Sequence, residues 1–237
     1  MIPTVVCFKW EPRPGYRSKY GPEQVLTLQR MIARHYSKPF DFVCCTDDAR
    51  GLERIHTIPL WNDWADLPNP HGLHNPSCYR RLKVFAPNAG EWLGERIIAI
   101  DLDMVVTGDL SPLFDDPAEF KIWGQSDFPS RQWYNGSFWS LKAGSRPQVW
   151  TEFSETSPSL TKHSGARGSD QGWFSYILGP HEQTWSTKDG IYSYRVHIAK
   201  QFGNTLPSNC RLVAFHGKDD PWCYRCQQVP WIQEHYR

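Results

Sequence analysis

The chain has 237 residues, and its 26 Lys and Arg against 25 Asp and Glu leave a formal charge of +1 with 9 His neutral. A balance this close excludes proteins that work through a large cationic field, such as nucleic-acid coats and polybasic membrane binders. With 40% hydrophobic and 22% charged residues, wholesale disorder is excluded too. The length fits one sizeable domain.

Aromatic residues are plentiful: 12 Trp, 10 Tyr and 12 Phe supply flat apolar faces as well as core volume. No stretch approaches the roughly 20 uninterrupted apolar residues of a membrane helix, and Met1 to Phe8 lacks the basic and long apolar regions of a signal peptide. The chain therefore reads as cytoplasmic. The 7 Cys agree, since an odd count with Cys44 and Cys45 adjacent in an apolar run is a poor disulfide framework. Cys223 and Cys226 form a CxxC without a second pair at zinc spacing, and read as two reduced thiols.

Thr4 to Phe8 is a buried strand that opens into a long loop, Glu11-Pro12-Arg13-Pro14-Gly15. From Pro22 to Tyr36, Val25, Leu28, Met31, Ile32 and His35 recur at helical spacing, with Pro22 where a first turn tolerates it. Phe40 to Thr46 is a second buried strand, ending in Asp47-Asp48, and Arg54 to Leu60 makes a third. This rhythm predicts an α/β fold: a Rossmann-like, mainly parallel sheet with flanking helices. Trp61 to Pro76 has no periodicity and reads as a loop, and Tyr79 to Phe85 as a helix. Arg96 to Leu102 is the most strand-like run, followed by shorter strands at Lys121 to Ser126, Gly136 to Leu141 and Arg211 to Phe215. Helices are expected at Pro147 to Glu155 and Asp170 to Leu178. Without a repeat or linker, residues 1–237 read as a single domain.

Open α/β sheets bind ligands beyond the carboxyl ends of their strands. Asp101 and Asp103 stand there. Where the chain turns, two such carboxylates can converge on a hard cation such as Mg²⁺ or Mn²⁺, or they can cap the turn through backbone N–H groups. After the strand at Arg211 to Phe215 come His216, Gly217 and Lys218: an imidazole ligand, a close backbone approach and a mobile cation, or else a core histidine beside a solvated lysine. Asn135 and Gly136 open one strand. Asp170 and Gln171 open a helix, where Ser169 or Asp170 also fits an N-cap.

These four segments, in this order, resemble the glycogenin-like and bacterial lipopolysaccharide galactosyltransferase family of the glycosyltransferase A fold. The resemblance spans most of the chain and rests on Asp101 and Asp103, Asn135-Gly136, Asp170-Gln171-Gly172, and His216-Gly217-Lys218 with Pro221-Trp222. It implies that Asp101, Asp103 and His216 hold Mn²⁺ (or Mg²⁺) on the diphosphate of a nucleotide-sugar donor, with Gly217 and Lys218 at the phosphates. Arg81 matches a donor-contacting basic residue, Asp127 and Asn135 the donor-sugar site, and Asp170 and Gln171 the surroundings of the anomeric carbon. Phe8, Lys9, Thr46 and Asp47 fall in the nucleoside loops. Residues 1–110 would form the nucleotide-binding half and residues 111–237 the sugar and acceptor half.

The implied activity is transfer of a hexose from a UDP-sugar with retention; a catalytically inactive sugar-binding protein and a sugar nucleotidyltransferase are the alternatives. A glycan, a modified DNA base and a protein side chain all remain open as acceptor. The chain departs from the family in having only Gly217 between His216 and Lys218, and in the loop Lys9-Trp10-Glu11-Pro12-Arg13.

Overall fold

The computed structural model describes residues 1–11, 20–70, 78–124, 132–216 and 219–237. It is built on a seven-stranded sheet of β1 (Thr4–Lys9), β2 (Asp41–Thr46), β3 (His56–Pro59), β4 (Arg96–Ile100), β6 (Phe120–Gly124), β7 (Tyr134–Lys142) and β8 (Gln183–Trp185), in the order β3-β2-β1-β4-β7-β6-β8. The first four are mutually parallel, and β7 runs antiparallel to β4 and β6. A second sheet joins β5 (Met104–Val106), β10 (Leu212–Ala214) and β9 (Ile191–Ser193), with β10 in the centre.

The sheet is buried on both faces, which is why β1, β2 and β4 read as unbroken apolar runs. Along β1, Val5 and Cys7 pack with Leu28, Met31 and Ile32 of the helix α1 (Pro22–His35) on one face. Val6 and Phe8 pack with Leu82, Trp139 and Phe174 on the other. The first turn of α1 carries Pro22, and the N–H of Gly21 is satisfied by Gln24 Oε1 at 2.7 Å.

The predicted helix at Tyr79 to Phe85 is a 3-10 helix over Cys78–Phe85, most of it buried. The one expected at Pro147 to Glu155 shrinks to a single turn at Gln148–Thr151, while the helix at Asp170–Leu178 stands as expected. The Lys121 to Ser126 strand ends at Gly124, with residues 125–131 outside the described set. Along 61–70 the loop expected there contains no strand. Among the described residues no helix is long and apolar enough to cross a membrane.

Two features of this topology build a site. Because β7 runs against β4, its first residues lie beside the last residues of β4: Ile100 pairs with Phe138, and the Asp101 N–H donates to Ser137 O at 2.9 Å. Because β10 runs against β5, Ala214 pairs with Met104 and the Phe215 N–H donates to Asp103 O at 3.1 Å. Segments more than a hundred residues apart thus meet at one end of the sheet.

Candidate active site

At that end lies a buried guanidinium. Arg81 projects from the 3-10 helix, and its Nε donates to Asp170 Oδ2 at 3.0 Å. Its Nη2 bonds the same oxygen and its Nη1 bonds Asp101 Oδ1, so one cation bridges two carboxylates. The Phe8 ring centre lies 5.6 Å from the guanidinium carbon. Gly136 closes the other side. A Cβ there would lie 3.2 Å from Arg81 Nη2 and 3.3 Å from Asp170 Oδ2, so only glycine leaves the pair undisturbed. The Gly136 N–H points to Gln171 Oε1 at 3.4 Å, and Asn135 Oδ1 accepts the Ser137 N–H at 2.9 Å. Ser169 Oγ accepts the Cys78 N–H at 3.3 Å and faces Asp170 Oδ1 at 3.3 Å, tying the 3-10 helix to the start of the Asp170–Leu178 helix.

The electrostatics are asymmetric. Asp170 is 4% exposed and Asp101 28% exposed. Burial raises the Asp170 pKa above its ordinary value, against the pull of Arg81 and with a further push from Asp101. Burial also works against the charge on Arg81, but Asp101 and Asp170 outweigh it and hold the pKa well above the usual guanidinium value. Arg81 has two counter-charges. Asp170 has one, and a like charge nearby.

Next to this group stands Asp103. Its Oδ2 accepts from Tyr20 Oη at 3.4 Å, while Oδ1 is buried without a hydrogen-bond partner. Burial first, then Asp101 and Asp220, push its pKa well above the carboxylate range. Asp220, 7% exposed, was not singled out from the sequence, nor was Tyr236, whose hydroxyl is buried without a hydrogen-bond partner and whose pKa is raised by burial and by Asp103 and Asp220.

His216 follows β10. Its Nε2 lies 2.7 Å from Ser193 Oγ, which also accepts the Val196 N–H at 3.1 Å. Burial, then Arg195 and His197, lower the His216 pKa to about 4, so the ring is neutral at pH 7. Ser193 begins a π-helical turn over Tyr194–Ile198 that carries no recognisable sequence pattern.

The oxygen-rich donor set and the orphaned Asp103 Oδ1 fit a hard divalent cation. In this conformation Asp101 is engaged by Arg81 and His216 by Ser193. Ligand atoms of Asp101, Asp103 and His216 do not all lie within 4.8 Å of one another; among the described residues that holds for Asp219, Cys223 and Cys226. Asp127, Gly217 and Lys218 lie outside the described residues.

The described residues at the ends of β1 and β2 are bonded to one another. Lys9 Nζ and Thr46 Oγ1 both donate to Asp48 O at 2.9 Å, and Thr46 Oγ1 accepts the Asp48 N–H at 3.1 Å. Asp47 accepts the Glu11 N–H on Oδ1 at 3.2 Å and pairs with Arg80 Nη1 through Oδ2 at 3.2 Å. Arg80 also donates to Leu60 O and Trp61 O, anchoring the Trp-rich loop. Arg80 was missed in the sequence, where it is only the neighbour of Arg81.

No protein-family model and no curated protein sequence matches the chain. Solved structures do match it in three dimensions. The galactosyltransferase LgtC, in complex with donor and acceptor sugar analogues, superposes with a TM-score of 0.62 at 13% identity over 99% of this chain and 96% of that one. The glycosyltransferase GlyE of Streptococcus pneumoniae gives 0.59 at 17% identity over 97% of this chain and 59% of that one. Mouse xyloside xylosyltransferase 1 gives 0.58 at 10% identity over 92% and 98%. At these identities the likeness establishes the fold, and the glycosyltransferase A fold expected from the sequence is the one observed.

Proposed function

We propose that the chain is a metal-dependent glycosyltransferase that moves a hexose from a UDP-sugar to an acceptor hydroxyl with retention of configuration. The observation that carries this reading is the Arg81 bridge between Asp101, just after β4, and Asp170, at the start of its helix, beside Gly136 and within a fold shared with glycosyltransferases. Residues 1–110 would receive the nucleoside and residues 111–237 the sugar and acceptor.

Phe8 and Thr46 would border the nucleoside, where the bonds from Lys9 and Thr46 to Asp48 O hold the end of β2 in place before any ligand arrives. Asp101, Asp103 and His216 would hold Mn²⁺ or Mg²⁺, which when bound supplies Lewis-acid stabilisation of the departing diphosphate. Neutral His216 presents an imidazole already free of its second proton. Arg81 is held by two carboxylates, so its charge needs no reorganisation during the reaction. Asp170 and Gln171 would face the anomeric carbon, with Asn135 on the sugar hydroxyls. Gln171 Oε1 is directed at Gly136, which leaves its amide N–H groups for the ligand. As the bond from anomeric carbon to phosphate oxygen breaks, its electron pair leaves with the diphosphate. The acceptor hydroxyl oxygen bonds the anomeric carbon on the same face and its proton passes to the departing phosphate oxygen, while the Asp170 carboxylate offsets the positive charge that develops on the sugar.

The test is release of nucleoside diphosphate from a panel of UDP-, GDP- and CMP-sugars with Mn²⁺, Mg²⁺ or chelator. Cation-dependent UDP release is expected, with an NMR-assigned product of retained configuration. No release from any donor with either cation would remove the reading, and an inverted product would remove retention.

A further inference from the structure

We propose a second metal centre, distinct from the Asp101 and Asp103 site: Asp219, Cys223 and Cys226 bind a borderline-soft divalent cation, zinc, that clips the C-terminal tail in place. One ligand atom from each of these residues lies within 4.8 Å of the other two. Zinc bonds of about 2.3 Å to sulfur and about 2.0–2.2 Å to oxygen give tetrahedral edges of roughly 3.5–3.8 Å, so small side-chain adjustments close the set around an ion. A fourth position is left for water or for another group of the tail.

A second observation points the same way. The Cys226 N–H donates to Cys223 Sγ at 3.4 Å, so the backbone of the turn itself orients that sulfur within the cluster. The backbone of the turn is fixed independently: the Cys223 N–H donates to Asp220 O at 2.9 Å, the Gln227 N–H to Cys223 O at 3.0 Å, and Gln227 Nε2 to Pro221 O at 2.6 Å. Both thiols are therefore presented before an ion arrives. The Asp219 carboxylate now pairs with Arg225, whose side chain is 74% exposed and can swing into solvent. The donor set also separates the two centres, because thiolates select zinc-like ions while the Asp101 and Asp103 carboxylates suit Mg²⁺ or Mn²⁺.

The location gives the clip a purpose. Asp219 belongs to the segment after His216, and its neighbour Asp220 is close enough to Asp103 to raise its pKa. Cys226 lies close enough to Tyr194 to raise its pKa, and Tyr194 stacks on Phe215 with ring centres 4.4 Å apart. An ion here would join the start of the tail to the turn at Cys226–Gln228 and so steady the residues on either side of Gly217 and Lys218.

The experiment is a cobalt titration of the reduced full-length chain, read by absorption. The expected result is a sulfur-to-cobalt charge-transfer band that saturates at one equivalent and is bleached by Zn²⁺. The band should survive in Asp103→Ala and disappear in Cys223→Ser. In Asp219→Asn, cobalt affinity should fall by at least the roughly tenfold that even a lost outer-shell partner costs. Circular dichroism of each variant checks its fold, and partly exposed Cys223 avoids the risk of altering buried Cys226. The proposal is overturned if the reduced chain shows no band, if the band persists without Cys223, if Asp219→Asn leaves affinity unchanged, or if the chain purified under reductant holds a Cys223 to Cys226 disulfide.

Discussion

Replacing Arg81 by Met tests the central bridge through its charge. The change keeps an extended side chain but leaves two carboxylates without their cation. Asp101, 28% exposed, is stabilised by water; Asp170, 4% exposed, is not. Breaking a buried pair by removing one partner costs about 3–5 kcal/mol, and nearly all of that should come from Asp170. The pH dependence follows. Burial already raises the Asp170 pKa in the folded chain, and losing Arg81 removes its largest opposing pull. The folded variant therefore holds a proton that the unfolded chain, with a carboxyl pKa of about 3.9, has released. Stability relative to the parent falls as pH rises above the parent's own folded Asp170 pKa, by about 1.4 kcal/mol for each pH unit in which the folded variant holds the proton and the folded parent does not. Urea denaturation at pH 5, 6, 7 and 8 should show a deficit growing with pH, and the double variant Arg81→Met with Asp170→Asn should flatten it. A deficit that is constant or shrinks with pH would refute the assignment of the cost to Asp170.

Asp103→Ala should abolish cation-dependent UDP-sugar hydrolysis while leaving the chain folded, measured by diphosphate release and circular dichroism. Gly136→Ala places a methyl group 3.2 Å from Arg81 Nη2 and 3.3 Å from Asp170 Oδ2. Overpacking of this kind costs roughly 1–3 kcal/mol, and the thermal midpoint should drop modestly while turnover falls more than either distance alone suggests. His216, with a folded pKa of about 4 against about 6.5 unfolded, makes the parent lose stability as pH falls from 6.5 to 4. Allowing for the ring's partial exposure, this amounts to about 2 kcal/mol. His216→Gln should remove that slope from urea midpoints.

The parts of the fold legible in the sequence are those where one pattern decides. Strands β1, β2 and β4 are buried on both faces and bounded by polar turns, and α1 has one apolar stripe. Strands β5, β8 and β9 have three residues each, too few for any periodicity to appear, whereas β10, just as short, was readable from the apolar run between Arg211 and Phe215. The 3-10 helix misleads for another reason. Tyr79, Arg80, Arg81, Leu82, Val84 and Phe85 are all buried, so no polar face remains to distinguish one helical period from another. Of the candidate site residues, Arg81, Asp101, Gly136 and Asp170 come together in the structure, three of them at the strand and helix ends where a sequence pattern breaks. Ser193, Asp220 and Tyr20 were not readable, since each reaches His216 or Asp103 through tertiary packing.

The near-zero net charge acquires a different meaning at the site. Asp101 and Asp170 share Arg81, Asp103 lies close enough to Asp101 and Asp220 for both to raise its pKa, and two of these four carboxyls already have raised pKa values. Such a group discharges itself either by taking up protons or by accepting a cation, and the two compete for the same oxygens. A diphosphate entering beside these carboxylates meets repulsion unless countercharge arrives with it. On the proposed reading, metal and donor therefore bind interdependently. The surrounding sequence supplies enough Lys and Arg elsewhere to conceal this local imbalance from any count of the whole chain.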